Sequence, residues 1–185
     1  MLFILVAGMP GSGKSIVVEA ARKLGLPVYT MGDVIREEVA RRYGVVTPEL
    51  MVSTSSELRR KHGENIVAVR TIEKIGRENS VVVVDGVRSL IEVEEFKKHG
   101  DVVIVAVHAS PRTRFRRLLE RKRPGDPSSY EEFLKRDMTE LGFGLGSVIA
   151  LADYMIVNES STREAEEEAF KILVNLVGRS GQSRG

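Results

Sequence analysis

Apolar residues follow two patterns along this chain. Short unbroken runs, rich in β-branched residues, occupy 2–6, 81–84, 102–107 and 154–157, with a shorter fifth run at 27–30. Runs that stay apolar at successive positions predict strands buried on both faces of a parallel sheet. Between them the apolar residues recur at helical spacing, as Ile16, Val17, Ala20 and Leu24 do. The spacing predicts helices over 15–24, 32–43, 48–62, 64–78, 88–98, 111–122, 129–141 and 162–177. Strands alternating with helices imply a doubly wound α/β fold. The expected sheet has five parallel strands with helices on both faces.

Two stretches interrupt that rhythm. Roughly fifty residues separate the second and third strands, far more than one crossover requires. They predict a helical insertion over 31–78. The irregular patch Lys122-Arg123-Pro124-Gly125-Asp126-Pro127-Ser128 breaks helix again near the fourth strand. A chain of 185 residues builds one core. One domain is therefore expected over 1–178, followed by a disordered tail at 179–185.

Composition narrows the chemistry. There is no Cys, which excludes disulfides, thiolate catalysis and Cys-ligated metals. His62, His99 and His108 are far apart, so a His-based metal site is not expected. Lys and Arg number 28 against 26 Asp and Glu, so net charge alone predicts no nucleic-acid partner. No run is long enough to span a membrane, and the N-terminal run lacks a signal peptide's basic flank, so a cytoplasmic location is expected. Five Asn and Gln in the whole chain, with abundant charge, fit a hot-growing source.

The first loop carries the most specific motif. Gly8-Met9-Pro10-Gly11-Ser12-Gly13-Lys14-Ser15 satisfies G-x-x-x-x-G-K-[ST]. Its glycines let backbone N–H groups converge on phosphate oxygens, Lys14 reaches the β- and γ-phosphates, and the Ser15 hydroxyl holds Mg²⁺. The motif follows a buried-type strand and opens an amphipathic helix, whose positive end adds to the site. A P-loop site for a nucleoside triphosphate and Mg²⁺ is expected. Val81-Val82-Val83-Val84-Asp85 reads as the strand whose terminal carboxylate, Asp85, orients the metal.

Charge then collects in one region. Between 111 and 136 stand nine basic residues against four acids. Arg117 and Arg121 share one helix face and can neutralise transferring phosphates, with Arg136 beyond the irregular patch. Plainer readings compete elsewhere. Asp33 suits a helix N-cap. Arg59-Arg60-Lys61-His62 reads as a basic helix end facing water. His108 and the tyrosines read as structural or exposed.

Taken with the P-loop, Gly32-Asp33-Val34-Ile35-Arg36 and Asp85-Gly86-Val87-Arg88 resemble the nucleoside monophosphate kinases, adenylate kinase above all, and the dephospho-CoA kinases. The resemblance spans roughly residues 2–175, is nearest to the archaeal adenylate-kinase-related proteins, and implies the three-layer P-loop kinase fold with the five strands in the order 2-3-1-4-5. It implies acceptor binding by Gly32, Asp33, Arg36 and Arg88, with Arg88 one residue closer to Asp-Gly than in adenylate kinases. It also implies a short lid at Arg123–Ser129 in a lid region over 117–136, with lid arginines at Arg117, Arg121 and Arg136. Ala152-Asp153-Tyr154-Met155-Ile156-Val157-Asn158 resembles the adenine-side strand and loop, which puts Asn158 beside the nucleotide. The implied reaction is transfer from Mg·ATP to a nucleoside monophosphate, AMP first. Two alternatives stay open: a dephospho-CoA-type hydroxyl kinase using Asp33 as base, and a nucleotide-dependent switch with a protein or RNA partner. Acceptor, donor base and oligomeric state are not fixed by the sequence.

Overall fold

A computed structural model describes residues 1–76, 78–159 and 161–182. Five strands form one parallel sheet: β1 (Leu2–Ala7), β2 (Val28–Thr30), β3 (Val81–Asp85), β4 (Asp101–His108) and β5 (Tyr154–Val157). Their order is β2-β3-β1-β4-β5, as the resemblance to the P-loop kinases implies. Register sets Leu5 of β1 between Val84 of β3 and Ile104 of β4.

Successive strand residues face opposite layers. Ile4, Val6, Val81, Val83, Val105 and Val107 pack with α1 (Ser15–Lys23) and α9 (Thr162–Gln182). Phe3, Leu5, Val82 and Val84 face the other layer. That layer is built from α2 (Met31–Tyr43), α3 (Pro48–His62), α4 (Ile66–Lys74) and α5 (Leu90–Lys97). Two further helices, α6 (Pro111–Arg121) and α7 (Tyr130–Gly142), are joined through the rings of Phe115, Tyr130 and Phe133. A short helix, α8 (Leu145–Ala150), buries Leu145 and Val148; the sequence pattern over 142–153 did not suggest it.

Several local expectations need correction. Asp33 is not an N-cap: α2 starts at Met31, and Asp33 lies inside its first turn. Arg59 does not face water but is buried. Helix α9 continues through Gln182, so the segment expected to be disordered from 179 is helical to 182. Residues 183–185 of that expected tail lie outside the described residues. No helix among the described residues is long and apolar enough to cross a membrane.

Candidate active site

Residues 8–14 link β1 to α1 in a loop that only glycine permits at three points. Gly11 and Gly13 have φ of 82° and 95°, a region costly for residues with a Cβ. A Cβ on Gly8 would lie 2.5 Å from the Val107 carbonyl oxygen and 2.6 Å from Ser12 Oγ. A Cβ on Gly13 would collide with the Asn158 amide. Met9 packs against the core and Pro10 offers its carbonyl to Arg114. Lys14 Nζ donates to the Gly8 carbonyl at 2.8 Å, which folds the lysine back over the loop. Burial pulls its pKa below 10.5, opposed by the carboxylates of Asp85 and Glu140. A bound polyanion would relieve that penalty.

Two orphaned oxygens mark where a ligand fits. Ser12 is fully buried, and its Oγ has no hydrogen-bond partner among the described residues. Asp85, at the end of β3, buries Oδ1 without a partner. Desolvation raises the Asp85 pKa above 3.8, against the pull of Lys14 and Arg88. Buried polar atoms are normally satisfied, so both point to a missing partner. Ser15 opens α1 and is exposed, and no acid in that first turn cancels the helix's positive end. A hydroxyl and a carboxylate are hard oxygen donors of the kind Mg²⁺ prefers.

Arg117 and Asn158 meet at the same loop. Asn158 Nδ2 and Arg117 Nη1 both donate to the Ser12 carbonyl, at 2.9 and 3.4 Å. Arg117 Nη2 also donates to Asn158 Oδ1 at 3.3 Å. Beneath them sits a pair that sequence reasoning did not single out. Arg114 is 4% exposed and grips Asp137 of α7 with two bonds, at 2.8 and 2.5 Å. It also donates to the carbonyls of Pro10 and Ala109 and stacks on Phe133. The Arg114 side chain thus ties α6, α7 and the P-loop together.

The remaining predicted arginines are each matched to a carboxylate. Arg36 Nε lies 3.4 Å from Asp33 Oδ1, a local pair with both side chains more than half exposed. Gly32 sits in the first turn of α2 with room for a Cβ, so backbone geometry does not require glycine there. Arg88 Nε lies 2.8 Å from Glu140 Oε2 on α7. The Arg88 backbone N–H donates to Glu92 at 2.8 Å, and Glu92 is held by the buried Arg59 at 2.9 Å. Arg121 and Arg136 share one carboxylate partner, and Arg136 is also near enough for its charge to act on Lys14. Both bind Asp126 of the lid loop: Arg121 through two bonds at 2.9 and 2.5 Å, Arg136 at 3.3 Å. These contacts hold the Asp126 pKa down at about 2. Gly125 beside it approaches Pro48 at the start of α3, so the lid loop touches the helical insertion.

Asp85, Arg88, Arg136 and Glu140 are near enough for their charges to act on Lys14, and Asp33 acts on Asp85. Glu140, Glu92 and Arg59 carried no motif. Their only signal was charge on otherwise amphipathic helices, which does not reveal a distant partner.

Known proteins place this geometry. Residues 7–135 match the family model described as an AAA domain. A shikimate kinase from Bacteroides thetaiotaomicron superposes with a TM-score of 0.61 at 19% identity, covering 96% of this chain and 98% of its own. A shikimate kinase from Acinetobacter baumannii, solved in complex with shikimate, gives 0.57 at 18% identity, covering 96% and 93%. At such identities the likeness shows a P-loop kinase-like fold and no more. In sequence, the UPF0200 protein of Staphylothermus marinus is 61% identical over 98% of this chain and 96% of its own. That of Hyperthermus butylicus is 59% identical over 96% of each. With its P-loop fold and these near-full-length relatives, the chain belongs to the UPF0200 family, within the AAA-domain P-loop proteins.

Proposed function

We propose that this protein is an ATP-dependent kinase that transfers the γ-phosphate of Mg·ATP to a nucleoside monophosphate, with AMP as the first acceptor to test. The observation that carries the reading is the loop of residues 8–15, with its orphaned Ser12 Oγ and the unpartnered Asp85 oxygen beside it. Loop amides and Lys14 would hold the donor phosphates, Arg117 and Asn158 its nucleoside side, and Ser15 and Asp85 the metal. Magnesium would neutralise donor charge and orient the β- and γ-phosphates. Arg36 and Arg88 would bind the acceptor phosphate, while Arg121 and Arg136 would leave Asp126 to meet charge developing during transfer. Phosphoryl transfer needs positioning and neutralisation more than covalent chemistry, and this residue set supplies both.

A second reading, a hydroxyl-directed kinase, is favoured by one observation. Asp33 is exposed and acts electrostatically on Asp85, so a carboxylate is available to take a hydroxyl proton. The test is incubation with Mg·ATP and a panel of monophosphates, dephospho-CoA and shikimate, with phosphorylated products resolved. The first reading expects a nucleoside diphosphate from a monophosphate acceptor. Phosphorylation of dephospho-CoA or shikimate alone would support the second, and release of ADP and phosphate alone would support a switch.

A further inference from the structure

We propose that Glu140 is a specificity-determining residue of the acceptor subsite: it pairs with Arg88 until an acceptor arrives, and gives way there to the acceptor's anionic group. This rests on reading Arg88 as an acceptor residue, and it deepens that reading by making the acceptor an anion.

The pairing of Arg88 with Glu140 is close but incomplete. Nε and Oε2 are 2.8 Å apart, yet Oε2 is buried without a hydrogen bond, because the N–H does not point at it. A buried acceptor left unsatisfied is costly, so the pair gains little from alignment and is open to exchange. The two ends of Arg88 are held differently. Its backbone N–H is fixed by Glu92, which is fully buried and anchored in turn by Arg59 and, through it, by Ser55. Among the described residues its side chain is paired with the misaligned carboxylate alone, and it keeps about a third of its surface exposed. The backbone is therefore an anchor and the guanidinium a swinging fork. A phosphate takes such a fork through two parallel charge-assisted bonds, which a single misaligned oxygen does not.

Charge points the same way. Glu140 is one of the carboxylates acting on Lys14, so an anion at Arg88 meets its repulsion as well as the pull of the arginine. A neutral hydroxyl would not displace a carboxylate from a guanidinium. Glu140 thus sets a threshold: only a group carrying its own negative charge replaces it. A substrate phosphate does so; a neutral sugar or alcohol does not.

The test uses inorganic phosphate as probe, titrated calorimetrically into the full chain saturated with Mg·ADP at constant ionic strength. Glu140→Gln removes the competing charge and is expected to tighten phosphate binding about tenfold. Glu140→Ala, which buries no amide, gives the same sign and covers the case in which the Gln variant folds poorly. Arg88→Gln and the double variant Arg88→Gln/Glu140→Gln are expected to bind phosphate equally weakly. A merely structural Glu140 would weaken binding when removed. Unchanged or weaker binding in both Glu140 variants overturns the proposal, as does a gain that persists without Arg88. Mg·ADP that fails to bind overturns the kinase reading and this assignment together. The acceptor panel fails separately: tighter phosphate binding without AMP phosphorylation leaves Glu140 assigned and moves the acceptor to another anion.

Discussion

On the kinase reading proposed above, the site has a donor half and an acceptor half, and they are built by opposite means. The donor half is backbone: a glycine loop whose shape follows from Gly8, Gly11 and Gly13, with a lysine folded over it and two buried oxygens lacking partners. The acceptor and lid half is side chain: Arg36, Arg88, Arg121 and Arg136 each face a carboxylate of this same chain. A ligand entering the donor half completes it. A ligand entering the other half must exchange with what is already there. Donor binding should therefore tolerate changes in the lid, while acceptor binding should respond to every carboxylate that competes for an arginine.

The strongest test of the donor half is Lys14→Ala. It removes a desolvated cation, so thermal stability should hold, while phosphoryl transfer should fall by a factor on the order of 1,000. Normal turnover in that variant would break the comparison at its root. Next in size is the platform beneath the loop. Arg114→Ala or Asp137→Ala leaves a buried charge alone, and should cost about 3–5 kcal/mol in a denaturant melt. Gly13→Ala forces a side chain into a backbone conformation at φ 95° and against Asn158. ATP affinity should drop by about tenfold or more, read by calorimetry.

The lid gives the smallest effects, and they sharpen the contrast. Asp126 has a lowered pKa, so its pairs with Arg121 and Arg136 contribute fully above the usual aspartate value of 3.8 and are lost as pH falls toward about 2. Hydrogen exchange at residues 122–129 should rise over that window before the sheet unfolds. Asp126→Asn should show the faster exchange already at neutral pH, with donor affinity changed only a few-fold. Loss of donor binding there would mean that the halves are not separable.

This division also explains what the sequence revealed. The P-loop was legible because its function lies in consecutive residues and backbone shape. The strands were legible as unbroken apolar runs such as 81–84, and their order through the resemblance to the P-loop kinases. Arg59 misled because a basic helix end looks solvent-facing until a partner such as Glu92, thirty-three positions away, is brought to it. Glu140 and Asp126 were silent for the same reason. The arginines could be named one by one, but their partners depend on which helices tertiary packing sets side by side.

The central claim is that donor chemistry built into this loop is used for transfer. Phosphorus NMR of the protein with Mg·ATP and AMP tests it directly. The account predicts that ADP accumulates from both nucleotides, with no inorganic phosphate, and that the Lys14→Ala protein leaves the spectrum unchanged. Inorganic phosphate appearing with ADP while AMP stays intact would contradict it.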